Sequence, residues 1–111
     1  MSDAESCRID VWLWRARFYK SRGLAAKAVE AGGFRLTREP LRAALEKPSR
    51  LVRPGDVLVF PMGARWRAIR VLTLGERRGP AAEARELYET VGGSAIRDFV
   101  GEGLRSPLAS T

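Results

Sequence analysis

No histidine occurs among the 111 residues. Its absence removes the commonest general base, the usual partner of a serine or cysteine nucleophile, and the commonest transition-metal ligand. Cysteine occurs once, as Cys7, which allows neither an internal disulfide nor a thiolate metal cluster and fits a reducing compartment. Long apolar runs are missing as well. Even a run such as residues 57–60, among the longest, falls far short of the roughly 20 residues of a membrane-spanning helix. The opening MSDAESC carries two acids and no apolar stretch, so neither a secretory signal nor a transit peptide is expected, and a cytoplasmic protein is the default. There is no Walker loop and no Gly-x-Gly-x-x-Gly after a strand. The acids stand singly among bases, and Glu83, Glu86 and Glu89 read as a solvated row on a helix. Paired carboxylates for acid and base work are not in evidence. The expectation is a protein that is not an enzyme and takes no cofactor and no metal.

What the chain does hold is positive charge. There are 20 Lys and Arg against 13 Asp and Glu, a net of +7, and such an excess makes a polyanion the first partner to test. The distribution is uneven: residues 1–60 hold 12 bases and 7 acids, residues 61–78 hold 5 and 1, and residues 79–111 hold 3 and 5. The densest stretch, residues 8–38, has eight bases against Asp10 and Glu30. Of all the bases 17 are arginine, a bias that genome composition alone can produce, so the clustering carries more weight than the count.

The length suits one domain, and 45% hydrophobic residues suffice for a modest core. Ile9, Trp12, Leu13 and Ala16 recur at helical spacing and predict a first helix over 10–17, with Asp10 as N-cap or first-turn acid. Ser21 is an N-cap candidate for a second helix. Its stripe is Leu24, Ala25, Ala28 and Val29, and Gly32-Gly33 is its stop. Residues 34–37 alternate as a short strand, and residues 38–47 read equally as a loop insertion or one helical turn. Pro54-Gly55 predicts a tight turn before two strands, 57–60 and 65–74, joined through 61–64 as a hairpin. Gly79-Pro80 opens a C-terminal helix with Ala84, Leu87, Tyr88 and Val91 on one face. Residues 95–100 read as a further helical turn, and the end of the chain is expected to be mobile. The predicted fold is thus α+β: two N-terminal helices on a small, mainly antiparallel sheet, with a C-terminal helix added. It divides into residues 8–74, a helical extension over 75–91 and a flexible tail over 92–111.

Nucleic-acid chemistry is where these residues converge. Arginine and lysine neutralise phosphates and release counterions, and the arginine fork grips phosphate oxygens in pairs. Ser21-Arg22-Gly23 at a helix start would present free N–H groups beside Lys20 and Arg22, an anion site. Trp14 lies off the apolar stripe and is open either to stacking on RNA or to packing under the C-terminal helix. Arg77 and Arg78, at the end of the sheet, are either a second phosphate contact or an ordinary strand terminus.

Arg8-Ile9-Asp10-x-x-Leu13, Lys20-Ser21-Arg22-x-x-Ala25, Gly32-Gly33 and Pro54-Gly55-Asp56-Val57 together resemble the RNA-binding module named after small-subunit ribosomal protein four, the alpha-L motif. Residues 8–22 as a block, with Arg77-Arg78-Gly79-Pro80 and Leu87-Tyr88-Glu89 much later, resemble the bacterial fifteen-kilodalton heat-shock protein family. The resemblance implies a small ribosome-associated RNA-binding protein of the heat-shock response. It would bind ribosomal RNA of free large subunits that still carry a stalled chain on tRNA, and would act in their rescue without catalysis. Implied partners are structured RNA, large-subunit rRNA with peptidyl-tRNA, and the large subunit itself; no membrane is involved, and off the ribosome the protein would be a monomer. The implied RNA-facing residues are Arg8, Arg17, Lys20, Ser21, Arg22, Arg77 and Arg78, with Asp10, Leu13 and Ala25 structural. Arg15, Lys27 and Arg35 join them as candidates on their charge and place. Val11 stands where the motif usually has a base, and residues 37–46 replace its short Asn-Gly turn. The rival readings are a binder of tRNA or DNA, and a basic accessory protein that meets an acidic protein.

Overall fold

A computed structural model of the chain describes residues 5–38 and 40–92. After a two-residue strand β1 (Cys7–Arg8), the helical spacing of Ile9, Trp12 and Leu13 is realised in α1 (Ile9–Arg15), with all three fully buried. The helix ends two residues earlier than its apolar pattern predicts. Phe18 N–H donates to the Leu13 carbonyl and Arg17 N–H to the Trp14 carbonyl, the paired bonds of a Schellman closure, which sets Arg17 at the left-handed position with φ 67°. Asp10 is a first-turn acid rather than the N-cap, and its carboxylate accepts Val11 N–H at 2.7 Å.

Helix α2 (Arg22–Glu30) begins where expected. Ser21 is its N-cap, the hydroxyl accepting Leu24 N–H at 3.1 Å. At its far end the chain turns through Gly32 and Gly33 into β2 (Phe34–Arg38). Gly33 is required there, with φ 96° and a position where a Cβ would stand 2.9 Å from the Pro61 ring.

Residues 38–47 resolve into neither of the expected forms. They hold a strand, β3 (Leu41–Leu45), which pairs with β2 in the register Phe34↔Leu45 to Arg38↔Leu41. β4 (Leu51–Val52) pairs with β1, and β5 (Val57–Met62) and β6 (Arg65–Val71) form a hairpin closed by Gly63 and Ala64. Pro61 lies in β5 beyond the stretch paired with β2, so its missing N–H breaks no ladder bond. The C-terminal helix is shorter than predicted: α3 (Ala81–Ala84) passes into a 3₁₀ turn (Arg85–Leu87). Tyr88 and its followers then leave the helical path as β7 (Tyr88–Thr90), antiparallel to β6. The helical turn expected at 95–100 and the tail expected over 92–111 lie, apart from Gly92, outside the described residues.

The main sheet has the order β3-β2-β5-β6-β7, antiparallel throughout, and the pair β1-β4 forms a separate ladder. Both long helices cover one face of the main sheet. There Trp12, Leu13, Ala25 and Val29 meet Phe34, Leu36, Leu58, Phe60, Ile69 and Val71 in one core, with Phe34 and Phe60 stacked at 4.9 Å. The architecture is the expected α+β arrangement of two N-terminal helices, antiparallel strands and a short C-terminal helix.

Candidate nucleic-acid interface

The turn between α1 and α2 carries the Lys20-Ser21-Arg22 sequence, and a distant segment holds it in shape. Residues 73–79 run alongside α1, and their carbonyls take donors from it: Trp12 Nε1–H gives to Thr73 at 3.0 Å, Arg15 Nη1 to Gly75 at 2.9 Å and to Leu74 at 3.3 Å, and Arg17 Nε to Gly79 at 2.7 Å. Arg78 returns the arrangement. Its Nη1 donates to the carbonyls of Trp14 (2.9 Å) and Tyr19 (2.8 Å), while its guanidinium stands 5.8 Å from the Trp14 ring. The Trp14 carbonyl already accepts Arg17 N–H, and an arginine with several N–H donors can add a charged bond to it and to the Tyr19 carbonyl at once. Arg15, Arg17 and Arg78 therefore act as clips that pin the α1–α2 turn. The Nε of Arg15 is buried and has no partner among the described residues, so this side chain is turned into the protein.

What the turn presents is a group of cations without hydrogen-bond or ion-pair partners among the described residues. Lys20 and Arg22 are exposed there, and Lys27 is exposed in the last turn of α2. The first intrahelical bond of α2 is Ala25 N–H to the Ser21 carbonyl, and Ser21 Oγ takes Leu24 N–H. The amides of Arg22 and Gly23 precede both, between two unpaired cations.

The remaining candidates are placed differently. Arg8 forks onto Asp10, Nε to Oδ1 at 3.1 Å and Nη2 to Oδ2 at 2.9 Å; that hydrogen bonding, more than the charge attraction, raises the guanidinium pKa. Much of its positive field is thereby cancelled locally. Arg35 lies on the sheet face away from the helices, opposite Ala44 and Val59, with Nη1 on the Phe34 carbonyl at 3.2 Å. Arg77 is exposed and pairs with Glu83 at 3.3 Å. Trp14, the candidate for stacking, is half-buried beneath Arg78, and Trp12 is fully buried. Cys7 is half-buried and its thiol pKa is raised, chiefly by desolvation. No group of three His, Cys, Asp or Glu side chains gathers among the described residues, and none of their helices is long and apolar enough to cross a membrane.

Arg77 and Arg78, adjacent in sequence, should therefore behave differently. Arg78→Ala leaves the Trp14 and Tyr19 carbonyls without their charged donor and should lower stability by about 1.5–3 kcal/mol. Arg77→Ala removes an exposed pair and should stay within about 0.5 kcal/mol. Urea midpoints of the two variants provide the comparison, and equal midpoints would refute the clip.

Residues 7–39, which span β1 to β2 and include the pinned turn, match the S4 domain, an RNA-binding module. Heat shock protein 15 of Escherichia coli is 38% identical over 86 residues, covering 78% of this chain and 61% of that protein. The Haemophilus influenzae homolog is 37% identical over 82 residues, covering 74% of this chain and 59% of its own. The trimeric structure of Vibrio cholerae Heat Shock Protein 15 superposes with a TM-score of 0.69 at 34% identity, covering 87% of this chain and 93% of that one. The chain belongs to the heat shock protein 15 family. It spans about 61% of the length of the Escherichia coli relative. The expectation of a monomer meets contrary evidence here, because the Vibrio cholerae protein was solved as a trimer.

Three cations in the middle of the chain are not among the contacts expected from the sequence. Lys47, Arg50 and Arg53 lie there, exposed and with side chains unpaired among the described residues. The available signal was their spacing of three, which places them around one pair of turns.

Proposed function

We propose that this protein is a non-catalytic, cytoplasmic binder of structured RNA. Its target on this reading is ribosomal RNA of free large subunits carrying a stalled nascent chain on tRNA, and its role is rescue of those subunits. The observation that carries the reading is the pair of unpaired cations Lys20 and Arg22 at a capped helix start, with unpaired Lys27 further along the same helix, inside the segment that matches the S4 domain. Cations and helix-start amides on a rigid turn suit phosphate oxygens. Phosphate and shape should dominate recognition, because side chains cannot read bases in the deep, narrow major groove of A-form RNA.

Binding should weaken steeply with salt. The variant Lys20→Ala/Arg22→Ala should remain folded and lose somewhat less than one unit of salt slope for each phosphate contact removed. Titration of an rRNA hairpin over a salt series measures this, and an unchanged slope in the folded variant would remove both residues from the footprint. The ribosomal target is tested by sedimentation of a cell extract in low salt. Co-migration with free large subunits is expected; recovery only at the top of the gradient would refute it, and equal competition by a DNA duplex would refute the preference for RNA.

A further inference from the structure

A second group of cations surrounds a cleft of about 600 Å³ at the other end of α1. Its wall runs from Ala44 to Leu51, and Arg38 and Arg53 close it from the sheet side. Arg38 is neutralised: its fork meets Asp56 with both bonds at 2.8 Å, and Asp56 is buried. Lys47, Arg50 and Arg53 are left against one acid of the cleft lining, Glu46, and none of the three has a side-chain partner among the described residues. Leu51, 49% exposed, and the exposed Ala44 add an apolar patch to the same cleft.

The backbone that carries these cations is held from several sides. Arg50 N–H closes a turn onto the Lys47 carbonyl at 3.0 Å, and the first amides of α1 reach back to this turn, Ile9 N–H to the Arg50 carbonyl at 2.8 Å and Asp10 N–H to Pro48 at 3.3 Å. Arg53 N–H is fixed by the Asp56 carboxylate at 2.8 Å. The cations thus project from anchored main chain, and truncating them leaves every one of those backbone bonds in place.

We infer that this cleft is a second phosphate-binding site, which takes a phosphodiester segment of the same RNA whose other contact is the start of α2. The inference rests on the RNA-binding reading above and deepens it. Unpaired cations around an open cleft suit a chain of phosphates, and a cleft of this volume admits a nucleotide-sized group. Leu51 offers the sugar or base an apolar contact that bare charge would not supply. The two sites sit at opposite ends of α1, whose seven residues rise about 10 Å. Two separate stretches of RNA backbone can therefore be held at once.

The test uses the full chain with Lys47→Ala/Arg50→Ala/Arg53→Ala, compared with Lys20→Ala/Arg22→Ala, each checked for native circular dichroism. An rRNA hairpin is titrated over a salt series. The triple variant should lose about two units of salt slope and at least tenfold in affinity at physiological salt, and Arg50→Lys/Arg53→Lys should retain the wild-type slope. If the folded triple variant keeps the wild-type slope while Lys20→Ala/Arg22→Ala loses its share, the cleft is not a phosphate site and the broader reading stands. A wild type that binds no RNA in a salt-dependent way overturns both. An acidic peptide that binds through the three cations, with RNA binding unaffected, would also overturn the inference and assign the cleft to a protein partner.

Discussion

Trp12→Ala should destabilise the protein by about 3–5 kcal/mol, the largest effect expected of any single substitution. Trp12 is fully buried at the centre of α1, where it touches Phe18 (centroids 6.2 Å apart) and meets Tyr88 edge-on at 6.5 Å. Its indole N–H also bonds to the Thr73 carbonyl, so truncation opens a cavity and releases one clip between α1 and residues 73–79. A domain of this size has only about 5–15 kcal/mol of stability in total, and the variant should be substantially unfolded at modest urea. Trp12→Phe separates the two contributions. It keeps most of the ring packing and loses the hydrogen bond, for a cost of about 1–2 kcal/mol, part of it offset by water because Thr73 is exposed. Urea unfolding followed by far-ultraviolet circular dichroism decides the matter; equal midpoints for Trp12→Ala and the wild type would disprove the placement of this residue in the core.

The second large effect is expected at Asp56. Its carboxylate accepts both arms of Arg38 and the amide of Arg53, and its main chain is tied to Val71, whose N–H donates to the Asp56 carbonyl at 2.8 Å. One buried acid therefore joins the end of β2, the turn at 53–56 and the end of β6. Asp56→Ala should lower stability by about 3 kcal/mol, the lower end of the range for breaking a buried pair, because the Arg38 side chain retains 30% exposure and can recover some hydration. Arg38→Ala should cost a comparable amount, about 3 kcal/mol, because it leaves the buried Asp56 carboxylate with the Arg53 amide and no countercharge. Urea midpoints for Asp56→Ala and Arg38→Ala test this, and a wild-type midpoint for Asp56→Ala would rule out the carboxylate as the hub.

Much of this fold was legible in local patterns. Ser21 capping α2 is an interaction between residues three apart, and the turn at Pro54-Gly55, with Gly55 at φ 97°, is likewise decided within four residues. Elements set by a neighbour in space were misread. Leu41-Arg42-Ala43-Ala44-Leu45 consists largely of good helix formers, yet pairing with β2 makes it a strand that buries Leu45. Residues 81–91 carry a helical stripe, but β6 offers an edge that captures Tyr88–Thr90, and ladder bonds there outweigh a marginal helix.

The candidate site divides along the same line. Charge, its concentration in residues 8–38 and the lack of histidine were determined by the sequence alone, and so was the resemblance that pointed to RNA. Which arginines bond to the protein's own carbonyls was decided only by the tertiary structure. Arg15, Arg17 and Arg78 look like Lys20 and Arg22 in a charge count, but long-range folding brings carbonyls of the α1 end and of residues 73–79 within reach of the first three. A guanidinium keeps its charge in either place. Whether its N–H donors meet the protein's own carbonyls or stay open to a phosphate depends on where the rest of the chain lies.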